Sequence, residues 1–202
     1  MMDDFLKILK IYELKGVSRN CSNFYHCDKE NIDYQRKETT AEHVYSCTKL
    51  ADYFLYSEKE FFELNRLKVY DLLHYHDDIE IATGDDCISN REKRMAKQEI
   101  EKTAIFDLAS KYPKKLEQKL LEMDKEFRDG ITPESKFAHA IDKMDAMVHE
   151  LNYPKDWGPK NFTEKNVITW FKPAFDYSFT FSKYFERVVQ YLNANGYFDV
   201  PN

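Results

Sequence analysis

Residues 67–85 read LKVYDLLHYHDDIEIATGD. Val69, Leu72 and Leu73 recur at helical spacing, and no glycine or proline interrupts the run before Gly84. The pattern predicts one helix from about Phe61 to Ala82, stopping at Thr83-Gly84. Its apolar face draws His76 and Asp77 inward. Burying a carboxylate is costly unless it is paired or binds a cation, so the His76-Asp77 pair needs a partner.

The stretch KFAHAIDKMDAMVHEL (136–151) poses the same question. Thr132 and Pro133 open a helix, with proline at the first helical position, where its missing N–H is harmless. Phe137, Ala138, Ile141 and Met144 form the inward face, and Asp142 sits among them. Asp has poor propensity inside a helix and needs a reason to be there.

Helical periodicity continues outward. Phe5, Leu6, Ile8, Leu9 and Tyr12 make a first stripe that closes at Gly16. Thr39 or Thr40 followed by Glu42 opens a helix that carries Val44, Cys47, Leu50, Ala51 and Phe54. Residues 91–111 form a charged amphipathic helix, and Pro113 opens another through Leu120 and Met123. Pro154 and Gly158-Pro159 interrupt the chain before a last aromatic helix from about Val167 to Asn195. Residues 17–38 show no period and are expected to form a long loop. The expectation is an all-α globular bundle of about six or more helices. One domain spans 1–202, with 155–202 a C-terminal helical extension packed on it.

Composition limits what such a bundle can do. With 43% hydrophobic residues, 14 Tyr and 15 Phe, the chain can fill an aromatic core without disulfides. A net charge of −6 and no dense basic stripe exclude stable non-specific nucleic-acid binding. A small anionic substrate then requires positive charge supplied locally. Cys21, Cys27, Cys47 and Cys87 form no CxxC pair, which argues against a zinc ribbon or a redox motif. The opening MMDDFLKILKIYEL lacks the basic and apolar regions of a signal peptide, and no run approaches the ~20 apolar residues of a membrane span. These features predict a cytoplasmic protein with free thiols and no membrane partner.

His43, His76, Asp77 and Asp142 lie on three of the expected helices. Imidazole nitrogens and carboxylate oxygens suit a single divalent ion such as Mn²⁺, Co²⁺, Fe²⁺, Zn²⁺, Mg²⁺ or Ni²⁺. Four protein ligands on a six-coordinate ion leave room for water and a phosphate oxygen, as a catalytic site requires. Singly, each of these residues is more often structural than ligating. Together, AEH (41–43), HDDIE (76–80), ATGD (82–85) and KFAHAID (136–142) resemble the HD-domain family, in particular its branch of 5′-deoxynucleotidases. The resemblance covers roughly residues 5 to 150.

It implies an all-α fold and a divalent-metal-dependent phosphohydrolase that acts on the 5′-phosphate of (deoxy)nucleoside monophosphates. It also implies that His43, His76, Asp77 and Asp142 hold the metal and that Glu80 handles the attacking water. Asp85 matches a sugar contact and equally fits a turn residue after a helix. Arg36 matches an arginine near the pocket and equally fits a solvated loop charge. The family's Arg-Trp pair is missing at Glu13-Leu14-Lys15, leaving Lys15, Arg19 or Arg36 to replace its arginine.

Two other readings stay open. An HD-type triphosphohydrolase, pyrophosphohydrolase or phosphodiesterase would use Lys93, Arg94 or Lys97 on distal phosphates, although these fit a solvated helix face better. A non-catalytic nucleotide-sensing scaffold would use the aromatic C-terminal residues as a partner surface. That stripe fits core or homodimer packing better than a ligand platform.

Overall fold

The computed structural model describes residues 2–24, 35–85, 91–153, 156–157 and 162–199. Helix α1 (Met2–Ile11) runs into a 3₁₀ turn (Tyr12–Gly16). The next segment, expected as a loop, is instead a two-stranded antiparallel hairpin of β1 (Ser18–Phe24) and β2 (Gln35–Thr39). Its residues are mostly polar, so the strands carry no apolar alternation by which to recognise them. The register slips between Ser18↔Thr39 and Ser22↔Lys37, so Arg19, Asn20 and Cys21 face Glu38 across a bulge. Bulges of this kind re-aim side chains.

Helix α2 (Thr40–Ser57) starts on a capping box. Thr39 Oγ1 accepts from Glu42 N, and Glu42 accepts from Thr39 N, an exchange worth about 1 kcal/mol. The helix expected over 61–82 is broken in two. A 3₁₀ turn (Lys59–Phe61) precedes α3 (Arg66–Tyr75), and α4 (Glu80–Thr83) follows after tight turns at 76–79. The break is built from i→i+3 bonds, including Asp78 N to Tyr75 O and Glu80 N to Asp77 O. Gly84, at φ 72°, ends α4 in a conformation that side-chain-bearing residues rarely adopt.

Helices α5 (Arg91–Ser110), α6 (Lys114–Asp129) and α7 (Pro133–Glu150) follow the sequence reading closely. The final aromatic segment splits into α8 (Glu164–Phe171) and α9 (Phe179–Ala194), separated by a 3₁₀ turn at Lys172–Ala174, where Pro173 cannot continue an α-helix.

Helix α7 is the axis of the bundle and packs against α2, α3, α6 and α9. Ala138 and Ala140 are fully buried and let neighbouring helices approach closely. Phe137 meets Phe61 and Phe181 at 4.9 and 5.4 Å between ring centroids, and Phe54 meets Phe181 at 4.8 Å. These offset and edge geometries favour aromatic pairs. Phe171, Phe175, Phe181 and Phe185 therefore belong to the core, whereas Phe179 is 79% exposed. The all-α class holds, with the hairpin as its one sheet among the described residues. None of the described helices is long and apolar enough to cross a membrane.

Candidate metal centre

Three segments converge at the middle of α7. Helix α2 supplies His43 from its first turn, the 76–79 turns supply His76 and Asp77, and α7 supplies Asp142. His43 Nε2 lies 3.2 Å from Asp142 Oδ1 and 3.6 Å from Asp77 Oδ2. His76 Nε2 lies 3.3 Å from Asp77 Oδ2 and 4.0 Å from Asp142 Oδ1. Donors around an ion at about 2.1 Å stand about 3 Å apart when adjacent and about 4 Å apart when opposite. The four side chains fit one six-coordinate ion.

The hydrogen bonds behind the rings carry the stronger test. His76 Nδ1 lies 2.8 Å from the Leu73 carbonyl, which can only accept, so Nδ1 carries the proton. In the neutral ring Nε2 is then a lone pair, fully buried, and without a hydrogen-bond partner among the described residues. A lone pair facing carboxylate oxygens is repulsive unless a cation lies between them. His43 repeats the pattern, with Nδ1 2.7 Å from Asp145 Oδ2 and Nε2 turned to Asp77 and Asp142. A carboxylate behind a ligating imidazole fixes its tautomer and raises its basicity.

Electrostatics agree with a cation-seeking centre. Burial opposes a charge on His43, but Cys47, Asp142 and Asp145 raise its pKa well above the usual histidine range. A metal ion and that proton compete for the same nitrogen. Burial also opposes ionisation of Asp142. Lys143, 2.7 Å from Oδ2, and the two histidines outweigh it and hold the carboxyl well below its ordinary value. Cys47 lies 3.5 Å from His43 Nε2, close enough to join a His43–Cys47–His76 cluster. Burial pushes its thiol up to about 12, so it offers S–H rather than the thiolate a metal binds.

Glu80 sits at the start of α4, buried, with Oε2 accepting from Thr40 Oγ1 at 2.8 Å. On a continuous helix, residues three and four apart share a face, which would set Glu80 beside Asp77 and His76. In the broken helix it is the i→i+3 turn that brings Glu80 over Asp77, because residues three apart eclipse in such turns. Burial, with Asp77 and Asp85 nearby, pushes its pKa well above the carboxylate range, against the pull of Arg19 and Lys97.

Of the proposed substrate contacts, Arg19 reaches the centre, with Nη1 3.4 Å from Asp77 Oδ2. Asp85 lines the same cavity and accepts from Asn20 N at 2.9 Å. Arg36 does not line that cavity. It pairs with Glu42 at the α2 start, with Nη1 2.7 Å from Oε2. Lys15 stacks over the exposed Tyr12 ring. Lys97, read as part of a solvated face, lines the cavity instead, 3.9 Å from Glu80 Oε1 and donating to Gly84 O. The side chains of Lys93 and Arg94 lie outside the described residues. Sequence reasoning missed Asp145 and Lys143, and it named Lys97 as a candidate for distal phosphates while favouring a solvated face. Asp145 carried a usable signal, since it stands three residues after Asp142 on the same helix face.

The cavity over this centre has a volume of about 910 Å³, within the range of small-molecule sites. A helical bundle thus brings together paired histidines and paired aspartates that could hold a metal ion. A family model described as HD domain matches residues 28–177, and the chain belongs to the HD-domain family. Two solved structures share its fold. One, described as a predicted metal-dependent phosphohydrolase from Magnetospirillum magnetotacticum MS-1, is 22% identical with a TM-score of 0.77, covering 97% of this chain and 96% of its own. The other, an HD-domain phosphohydrolase from Listeria innocua, is 21% identical with a TM-score of 0.62, covering 94% and 85%. No curated protein sequence matches the chain.

Proposed function

We propose that this protein is a metal-dependent phosphohydrolase that cleaves the 5′-phosphate from (deoxy)nucleoside monophosphates. The observation that carries the reading is the buried, unpartnered Nε2 of His76 facing Asp77 and Asp142, with Glu80 and Arg19 beside it. His43, His76, Asp77 and Asp142 would hold the ion. When bound, a divalent ion supplies the charge that polarises a phosphate oxygen and makes water acidic near neutral pH. Family membership and the two phosphohydrolase neighbours support this chemistry.

The chain's own residues supply the rest. Arg19 brings a guanidinium to the mouth of the centre, where its forked donors suit a phosphate dianion. Glu80 accepts a proton from the attacking water as the new P–O bond forms and the bond to the sugar oxygen breaks; the released alkoxide takes up a proton. Burial raises this carboxyl above its ordinary range, which makes its carboxylate a stronger base for that transfer. Thr40 Oγ1 fixes one Glu80 oxygen and leaves the other for water. Asp85, which lines the cavity, would accept from a sugar hydroxyl.

A second reading has one observation in its favour. Lys97 adds a cation deep in the cavity wall, which would suit a longer phosphate chain. A phosphate-release screen over nucleoside mono-, di- and triphosphates with Mn²⁺, Co²⁺ and Mg²⁺ decides between them. Release from monophosphates, abolished in Asp77→Ala, is the expected result. Turnover that persists in metal-free Asp77→Ala would overturn the assignment.

A further inference from the structure

A second buried cluster lies beside the metal centre, and its central residue, Glu38, takes no part in the chemistry above. Glu38, on β2, is 2% exposed, and its carboxylate has charged or donating neighbours at both oxygens. Cys21 Sγ donates to Oε2 at 3.1 Å, and Arg19 Nε lies 3.2 Å from the same oxygen. His149 Nδ1, from the last turn of α7, lies 3.2 Å from Oε1. The other ring nitrogen donates to Ser22 O at 2.8 Å, so His149 spans from α7 to both strands of the hairpin. Ser22 N and Oγ are held in turn by Asp156.

We propose that Glu38 is a positioning residue for Arg19, holding the guanidinium by an ion pair along its Nε edge so that the terminal nitrogens present to a phosphate group. The proposal rests on the reading of Arg19 as the phosphate contact. Three features of the geometry carry it. Arg19 Nε is fully buried, so water cannot orient it; it makes no hydrogen bond to a described residue, and the Glu38 carboxylate 3.2 Å away holds it as an ion pair. The bond from Nη1 to Asp77 is long, 3.4 Å, and Nη2 makes no hydrogen bond to any described residue. An incoming dianion can therefore replace Asp77 at the fork while Nε stays on Glu38. The bulge in β1 puts Arg19 and Cys21 on the Glu38 side of the hairpin together. Holding a long, flexible side chain in one geometry before the ligand arrives lowers the cost of binding.

The same three donors, Cys21, Glu38 and His149, lie close enough to hold a second metal ion. Two observations favour the positioning role. A guanidinium already occupies one side of Glu38, and burial together with Glu38 pushes the Cys21 thiol up to about 12, making it a donor rather than a ligand.

The test uses the full chain and the variants Arg19→Ala, Glu38→Gln, His149→Gln and the double variant Arg19→Ala/Glu38→Gln. Inorganic phosphate is titrated calorimetrically into metal-free and Mn²⁺-loaded protein. KM, kcat, Mn²⁺ stoichiometry and Tm are measured alongside, with the best substrate from the screen. Glu38→Gln is expected to weaken phosphate binding and raise KM about tenfold, with kcat and Mn²⁺ content within about twofold of wild type. The double variant is expected to bind phosphate no more weakly than Arg19→Ala alone, the non-additivity of residues acting as one unit. His149→Gln, a smaller perturbation, should move KM in the same direction if Glu38→Gln does not fold. If Arg19→Ala weakens phosphate but Glu38→Gln does not, the positioning role is overturned and the Arg19 reading stands. If Arg19→Ala leaves phosphate binding unchanged, both fail. A second bound equivalent of Mn²⁺ or Zn²⁺, lost in Glu38→Gln, would make the cluster a metal site instead.

Discussion

Asp145→Asn isolates what a buried carboxylate contributes to a metal centre it does not touch. Asp145 Oδ2 is 2.7 Å from His43 Nδ1, inside a fully buried environment. The substitution keeps an acceptor at that position and removes the charge. Hydrogen bonds to a charged group contribute about 1.5–3 kcal/mol and neutral ones about 0.5–1.5 kcal/mol, so the loss is about 1–1.5 kcal/mol. At about 1.4 kcal/mol per decade, the metal Kd should rise roughly tenfold. Asp145→Ala should cost more, roughly a hundredfold, because it also strands a buried N–H. The measurement is competition between protein and a chelator for Mn²⁺, with Tm of the metal-free forms as the control for folding. A pH series sharpens it. Asp145 also holds the proton on His43, and that proton competes with the metal. Removing the charge weakens both, so the affinity penalty should be largest at high pH and shrink as pH falls. A metal Kd within twofold of wild type across that range, in a folded Asp145→Asn protein, refutes the idea that Asp145 tunes His43.

Four further outcomes follow from the same structure. Glu80→Gln should retain the metal while kcat falls by about 10²–10⁴; equal loss of metal and activity would assign Glu80 to the ligand set instead. Phe181→Ala removes a fully buried ring packed on Phe54, Phe61 and Phe137, and should cost about 3–5 kcal/mol in urea unfolding while leaving KM unchanged below its transition. Arg36→Ala should leave KM unchanged and cost less than about 1 kcal/mol, the pair being partly exposed. Arg36 and the Thr39 cap hold the Glu42 carboxyl at about 2, below its unfolded value, so their stabilisation is present at neutral pH and lost as pH falls from about 4 toward 2; acid titration of Arg36→Ala should show a smaller loss over that window. Cys21 and Cys47, both buried with thiols pushed up to about 12, should resist iodoacetamide at pH 8 in the native protein, as read by peptide mapping.

The helices that build the core were legible because their burial is periodic. Helix α7 follows its pattern from Pro133 to Glu150, and the inward Phe137, Ala138, Ile141 and Met144 are all buried. Where the chain departs from a regular helix, periodicity failed. The break at 76–79 leaves the apolar pattern undisturbed, because Tyr75 before it and Ile79 within it are both buried. Pro173 carried the signal for the α8–α9 break, but the aromatic run on both sides outweighed it.

The two halves of the site differ in the same way, and the difference explains which residues were found. The metal half is written in short-range spacing. His76, Asp77 and Glu80 are fixed by one turn, and Asp142 and Asp145 by one helix face, so local sequence constrains them. The phosphate half is assembled from distant pieces. Arg19 reaches Asp77 across 58 residues, Ser22 is held by Asp156 across 134, and His149 reaches Ser22 across 127. Nothing in the polar run from Ser18 to Asn23 marks it as a strand, because its partners are carboxylates and carbonyls rather than an apolar face. Arg19 was therefore one of three candidate cations, Lys15, Arg19 and Arg36, that local sequence could not rank. Geometry separates them by their partners: Lys15 lies over an exposed ring, Arg36 pairs with a helix cap, and Arg19 is turned between Glu38 and Asp77. Moving the Arg19 charge elsewhere on the hairpin should not restore function. Arg19→Ala combined with Asn20→Arg, which shifts the guanidinium by one residue, should keep the net charge and still show the raised KM of Arg19→Ala. Recovery of the wild-type KM in that pair would mean that charge alone, and not its anchoring on Glu38, serves the phosphate.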